Sequence, residues 1–81
     1  MSELGRYLKE ARVKLGLSLR EAQERSNVSN AYISLIESGR RIDPHPNILK
    51  KLADAYKLEL QDVMRVAGYL DFDAREKEAG G

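Results

Sequence analysis

The sequence has no cysteine and only one histidine, His45, and its aromatic residues are few. Without cysteine there is no disulfide and no thiolate ligand for a metal, and a single histidine excludes a histidine-rich metal or acid–base cluster. No apolar run approaches the ~18 residues of a membrane span, and the N-terminus lacks the apolar core of a signal peptide. These absences predict a soluble, cytoplasmic protein with no cofactor and little equipment for catalysis.

What the chain does contain is typical of one small domain. Of its 81 residues, 42% are hydrophobic and 33% charged, which is enough for a single core and too apolar for a disordered chain. The net charge of +1 results from charged residues that are unevenly distributed along the chain. Residues 1–57 carry eleven Lys/Arg against seven Asp/Glu, and residues 58–81 carry three against six. The basic part is compatible with a polyanion-binding face or with an ordinary solvated surface.

Apolar residues at helical spacing predict an all-α chain of five helices. The predicted helices lie near residues 3–15, 19–26, 30–37, 46–56 and 60–67. On the first helix, the apolar stripe consists of Leu4, Leu8, Ala11 and Leu15. We expect residues 1–72 to form one domain, followed by an acidic, flexible tail over residues 73–81.

Capping residues indicate the same boundaries. Ser18 and Glu21 have the spacing of a capping box, in which each side chain accepts a hydrogen bond from the backbone N–H of the other residue. Asn27 tolerates the left-handed conformation of a tight turn, and Ser29 is placed to cap the third helix. Pro46 suits the first position of the fourth helix. The second and third helices are therefore short and joined by a tight turn.

These two helices and their turn form a candidate helix-turn-helix, a unit whose second helix lies in the major groove of DNA. In this chain that helix is the third, with Ile33 and Ile36 facing the core. Its outward residues are Ser29, Asn30, Ala31, Tyr32, Ser34 and Leu35. Asn pairs with adenine through two hydrogen bonds, Ser bonds several base edges, and Ala or Leu contacts a thymine methyl. The competing interpretation, an ordinary exposed helix, would more often carry Lys and Glu.

Nearly the whole domain, residues 4–70, carries motifs of one known family. They are Leu-Gly-Leu-Ser-Leu-Arg-Glu from residue 15, Asn-Val-Ser-Asn-Ala-Tyr-Ile-Ser from residue 27 and Ile-Glu-Ser-Gly-Arg from residue 36, followed by Pro46, Leu49, Leu52, Ala53 and residues 67–69. In combination they resemble the lambdoid-repressor/Cro-like (XRE-type) helix-turn-helix domain. The resemblance implies a compact five-helix bundle that binds double-stranded DNA, usually as a dimer on a palindromic operator, and regulates transcription.

Carried over residue by residue, the resemblance implies base contacts in and beside the helix-turn-helix. These residues are Leu19, Asn30, Ala31, Ser34 and Leu35, and Ser29 is a further candidate from its outward position at the start of the third helix. Many relatives have Gln where this chain has Leu19 and Leu35. Apolar contact, for example with thymine methyl groups, therefore replaces amide hydrogen bonds at these two positions.

The resemblance also implies two features of packing. Arg12 and Glu37 match a partly buried salt bridge that joins the first helix to the end of the third. A charge at the edge of each apolar stripe needs such a partner. Relatives usually have Leu-Ala where this chain has Ala22 and Gln23, so Gln23 must either extend to solvent or separate the two helices slightly.

Phosphate contacts are expected from residues around the third helix and at the start of the fourth. These candidates are Arg20, Tyr32, Arg40, Arg41 and Asn47. Exposed Arg and Lys also serve as ordinary solubilising residues, the interpretation that we favour for Arg6 and Lys9. The predicted dimer interface consists of apolar residues at the end of the bundle, Val66, Tyr69, Leu70 and Phe72.

These residues predict a transcriptional regulator, and more specifically a repressor that binds a palindromic operator as a homodimer. No nucleophile–base pair, Gly-rich phosphate loop or metal-ligand spacing is present, so an enzyme is not predicted. His45 lies between two prolines and is interpreted as a turn residue. Two alternatives stay open: a protein-interaction module such as an antitoxin that holds a toxin, or the DNA-binding head of a longer regulator with a sensor domain.

Overall fold

A computed structural model describes residues 2–69 and contains five helices in this range. They are α1 (Glu3–Lys14), α2 (Leu19–Ser26), α3 (Asn30–Glu37), α4 (Pro46–Tyr56) and α5 (Leu60–Ala67). No strand occurs between residues 2 and 69, and the predicted all-α fold of five helices is confirmed. The end of the domain at residue 72 and the acidic tail of residues 73–81 were predictions that lie outside the described residues. None of the described helices is long and apolar enough to cross a bilayer.

Short polar side chains cap the first two helices. Ser2 Oγ accepts a hydrogen bond from the Gly5 N–H at 2.9 Å. At α2, the Ser18 N–H donates to Glu21 Oε1 at 2.9 Å and the Glu21 N–H donates to Ser18 Oγ at 3.0 Å, which is a complete capping box. The hydrogen bond from the Ser18 backbone, and then the Ser18 side chain, hold the pKa of the Glu21 carboxyl below its ordinary value. The caps satisfy amides that a helix start otherwise leaves without partners.

The turn between α2 and α3 is compact and anchored in the core. Asn27 adopts the left-handed conformation with φ of 64°, as its small polar side chain allows. The Ser26 hydroxyl donates to the Ala22 carbonyl and accepts the Val28 N–H at 3.1 Å. Val28 itself is buried. These contacts fix the turn itself to the core.

The core lies where α1 meets α3 and α5 and where α4 meets α2 and α5. Its buried hydrophobic residues are Leu4, Leu8, Leu17, Ala22, Val28, Ile33, Ile36, Leu49, Leu52, Ala53, Tyr56 and Val63. The prediction that Leu15 belongs to the apolar stripe of α1 was wrong. Leu15 follows the last helical residue and is 41% exposed. The chain then reverses at Gly16, where φ is +74°, and Leu17 takes the place in the core.

The first turn of α1 lies directly against the backbone at the end of α3. A Cβ atom placed on Gly5 would come within 3 Å of the carbonyl oxygens of Ile36 and Glu37. Gly5 is buried, and only a residue without a side chain permits this approach. The C-terminal end of α3 is therefore held close to α1.

Candidate nucleic-acid interface

Helix α3 has one face in the core and one face in solvent. Ile33, Ile36 and Glu37 are buried. The exposed residues of its outer face include Asn30, Ala31, Ser34 and Leu35. None of these four is charged, and together they offer an amide, a hydroxyl and two apolar groups. That combination can read the hydrogen-bonding edges and methyl groups of bases.

Two side chains hold the N-terminal end of α3. Ser29 Oγ accepts the Tyr32 N–H at 3.1 Å, which is the expected N-cap. Gln23, a half-buried residue of α2, accepts the Asn30 N–H through Oε1 at 2.8 Å. The prediction that Gln23 would either extend to solvent or separate the helices missed this contact. The sequence did hold one signal for this contact. Gln23 is a residue with a hydrogen-bond acceptor, and it lies seven positions before the first residue of α3.

An ion pair holds the C-terminal end of α3. Arg12 Nε donates to Glu37 Oε2 at 2.7 Å and Arg12 Nη2 donates to Glu37 Oε1 at 3.0 Å. Arg12 Nη1 donates to the Leu17 carbonyl at 2.8 Å. The two side chains are only 11% and 8% exposed. The hydrogen bond to Glu37 is the largest cause of a raised Arg12 pKa, so the guanidinium stays charged.

Tyr56 of α4 is buried beside this ion pair. Its hydroxyl group has no hydrogen-bond partner within residues 2–69. Burial raises the pKa of Tyr56 to about 12, with a further increase from the negative charge of Glu37 and an opposing effect of Arg12. Tyr56 therefore remains a neutral phenol in the folded chain well above neutral pH.

A groove of about 560 Å³ runs beside α3 and brings residues of three helices together. Its lining residues are Lys9, Arg12, Leu19, Ser34, Glu37 and Ser38. Leu19 and Ser34, both predicted base contacts, share this groove. Leu19 is half-buried and packs against the core, so only part of its side chain is accessible. Lys9, interpreted from the sequence as a solubilising residue, lies in the same groove.

The loop after α3 places two arginines next to the helix. Arg40 and Arg41 are exposed, and their backbone N–H groups both donate to the Leu35 carbonyl at 3.0 Å. The Arg41 guanidinium carbon lies 5.6 Å from the centre of the Tyr32 ring, which is a cation–π distance. This contact restrains the guanidinium beside the outer face of α3. Spacing alone gave no indication of it.

The other predicted phosphate contacts lie at helix starts. Arg20 and Asn47 are exposed second residues of α2 and α4. The Asn47 N–H donates to His45 Nδ1 at 3.1 Å, and His45 is the N-cap of α4. The interpretation of His45 as a turn residue was therefore incomplete, because its ring also caps a helix. The Pro46 at the first helical position could have indicated this role for the preceding residue.

The predicted dimer interface is described only in part. Val66 is half-buried and packs against the core of its own chain. Tyr69 is exposed. Leu70 and Phe72 lie outside the described residues.

Comparisons with known proteins place most of the chain in one group. The family described as Helix-turn-helix matches residues 8–63. The HTH-type transcriptional repressor RghR of Bacillus subtilis is 38% identical over 71 residues, covering 88% of this chain and 53% of RghR. The transcriptional regulator ClgR of Mycobacterium tuberculosis is 37% identical over 65 residues, covering 80% of this chain and 57% of ClgR. The chain spans about half the length of these relatives, and no solved structure is significantly similar to it.

Proposed function

The chain belongs to the XRE-type helix-turn-helix family, and we propose that it binds a specific double-stranded DNA sequence in the cytoplasm as part of a transcriptional regulator. The observation that carries this proposal is the outer face of α3, which is exposed, uncharged and rich in base-reading groups. The proposal includes no enzymatic activity and no cofactor. The family name and the regulator names of its relatives support the same role.

In the proposed complex α3 lies in the major groove. Asn30 donates to and accepts from an adenine edge, and Ser34 bonds a neighbouring base. Ala31 and Leu35 contact thymine methyl groups, and the exposed part of Leu19 extends this apolar contact from α2. Discrimination then depends on a few neutral contacts, whereas the surrounding cations supply affinity.

Phosphate contacts in this proposal centre on Arg41 and Tyr32. The ring holds the guanidinium beside α3, so less rotational freedom is lost when Arg41 meets a phosphate. Arg40, in the same loop, contacts a second phosphate. Arg20 and Asn47 contact the DNA backbone from the starts of α2 and α4. These groups fix the register of α3 without selecting a sequence.

We further propose that the regulator is a repressor that binds as a homodimer through Val66, Tyr69, Leu70 and Phe72. Two copies of α3 would then enter half-sites of an inverted repeat roughly 34 Å apart, about one helical turn of DNA. Repression would follow when this operator overlaps a promoter, because the bound dimer blocks polymerase.

Selection of bound duplexes from a random DNA pool tests the proposal directly. We expect the pool to converge on an inverted repeat whose half-sites contain A·T pairs opposite Asn30, Ala31 and Leu35. Convergence on a single half-site would retain specific binding and contradict the dimer. A pool that never converges, with no salt-dependent binding to any duplex, contradicts DNA recognition and favours a protein-interaction module.

The phosphate contacts have a separate test. Alanine at both Arg40 and Arg41 should weaken binding to every duplex and lower the slope of log affinity against log salt by about 2, close to 0.9 for each lost contact. The matched control replaces Lys50 and Lys51, an exposed adjacent pair on α4, and removes the same charge. An equal change in both variants would remove Arg40 and Arg41 from the interface.

A further inference from the structure

We propose that Gln23 is a positioning residue that sets the orientation of α3 for base reading, an inference that rests on the proposed function. Its Oε1 atom accepts the N–H of Asn30, the first residue of α3, at 2.8 Å. Gln23 belongs to α2, so the bond joins the two helices of the helix-turn-helix to each other.

The Gln23 bond differs in kind from the neighbouring N-cap. Ser29 Oγ bonds the Tyr32 N–H within the same turn of chain and therefore stabilises the start of α3 wherever the helix points. Gln23 Oε1 bonds an amide seven residues away. It thus restrains the rotation of α3 relative to α2, which the local cap leaves free.

Base reading is sensitive to that rotation. At 1.5 Å per residue the eight residues of α3 extend about 12 Å, so a turn of about 5° around its buried C-terminal end moves its first residue by about 1 Å. Base-edge hydrogen bonds require placement within about 0.5 Å. Asn30 is most directly affected, because its own backbone amide is the restrained group.

Overall stability depends much less on this bond. Asn30 is exposed and its bond to Gln23 lies at the surface. The turn remains anchored by Val28, and α3 remains packed through Ile33 and Ile36. Loss of the Gln23 contact should therefore reorient α3 without unfolding it.

The chemistry of a glutamine suits this position. A carboxylate would bond the N-terminal amide of a helix more strongly, because the helix dipole favours negative charge there. It would also repel the phosphates of a duplex held against α3. The neutral amide oxygen supplies the acceptor without that charge.

The test compares Gln23→Met, which keeps the length of the side chain and removes the acceptor, with Gln23→Glu, which keeps an acceptor. Gln61→Met, at an exposed position of α5, is the matched control, and Gln23→Ala is a second acceptor-free variant should Gln23→Met fail to fold. For the 81-residue chain and each variant of it, affinity is measured for the selected duplex and for a scrambled duplex at one salt concentration. Hydrogen exchange of the Asn30 amide is followed by NMR.

We expect Gln23→Met to reduce the ratio of specific to non-specific affinity about three- to tenfold, with non-specific affinity changed less than about twofold. The Asn30 amide should exchange faster. Gln23→Glu should weaken both affinities and keep the ratio near that of the wild type, and Gln61→Met should change neither.

A ratio within twofold of the wild type in the acceptor-free variants would overturn the role of Gln23. So would an equal fall of the ratio in Gln23→Met and Gln23→Glu, because the acceptor would then be irrelevant. A wild-type chain that does not discriminate between duplexes contradicts the proposed function as well, and this failure is visible before any variant is made.

Discussion

The two ends of helix α3 are held by opposite kinds of interaction. Its C-terminal end carries the buried Glu37, which forms two hydrogen bonds with Arg12 of α1, and it lies against the backbone of Gly5. Its N-terminal end is exposed and held by neutral oxygen atoms of Ser29 and Gln23. Buried charge with a fixed partner is costly to disrupt, whereas an exposed neutral hydrogen bond contributes little to folding.

This difference separates stability from orientation within a single short helix. The C-terminal end secures α3 to the core, and substitutions there should appear in unfolding experiments. The N-terminal end carries Asn30 and determines where the outer face points. Substitutions at that end should act on DNA discrimination more than on unfolding.

The largest effect is expected for Arg12→Ala. Removal of the guanidinium leaves Glu37 buried and unpaired, so the free energy of unfolding should fall by about 2–4 kcal/mol in urea denaturation. Arg65→Ala, which breaks the exposed pair with Asp62, is the control and should cost less than about 0.5 kcal/mol. A loss below about 0.5 kcal/mol for Arg12→Ala would contradict the difference between the two ends of α3, because the Arg12–Glu37 pair would then contribute no more than an exposed pair.

Alkaline titration tests the surroundings of the same end. Because the folded-state pKa of Tyr56 is raised from 10.0 to about 12, the contribution of this residue is complete below pH 10 and is lost as pH rises from 10 to 12. The free energy of unfolding should therefore fall by about 2 kcal/mol more in the wild type than in Tyr56→Phe across this interval. Urea denaturation of both proteins at pH 9 and pH 11.5 measures the difference. An equal loss of stability in the wild type and in Tyr56→Phe would mean that the Tyr56 phenol ionises in the folded chain as easily as in the unfolded chain.

Gly5→Ala should destabilise the contact between α1 and α3. Alanine is the better helix former by about 1 kcal/mol, so an unconstrained helix would become more stable. Here the added methyl group meets two carbonyl oxygens, and we expect a net loss of about 1–3 kcal/mol in thermal unfolding. A rise in melting temperature would show that α1 can move away from α3 at no cost.

The smallest effect is expected at the N-terminal end. Ser29→Ala removes the local cap of α3 and should lower the free energy of unfolding, measured by urea denaturation, by about 1 kcal/mol. Ser34→Ala, an exposed substitution within the same helix, is the control and should cost nothing in unfolding. A loss at Ser29 as large as that at Arg12 would remove the distinction between the two ends.

The helices were predictable because their signals are local. Each predicted helix lies within one residue of the observed bounds, since capping residues and apolar spacing act over a few positions. Leu15 shows the limit of this reasoning. It continues the spacing of α1, but the chain leaves the helix before the side chain can reach the core.

The contacts around the candidate interface were less predictable from the sequence. The bond that Gln23 accepts from Asn30 depends on the angle between two helices, and the cation–π contact of Arg41 with Tyr32 depends on the path of a loop. Neither distance follows from periodicity. The predicted base and phosphate contacts themselves remain predictions, because they require DNA for their test.

The Arg12–Glu37 pair also bears on the order in which the chain acquires its structure. It joins residues 25 positions apart, whereas the bonds within the α2–turn–α3 unit span seven or fewer. Short loops close with less loss of entropy, so we expect that unit to form before its final charged contact with α1. During synthesis Arg12 leaves the ribosome first and is already present when Glu37 emerges. Docking of α3 on α1 is then a late step. Before it the α2–turn–α3 unit is only loosely formed, and after it the outer face of α3 is held in place.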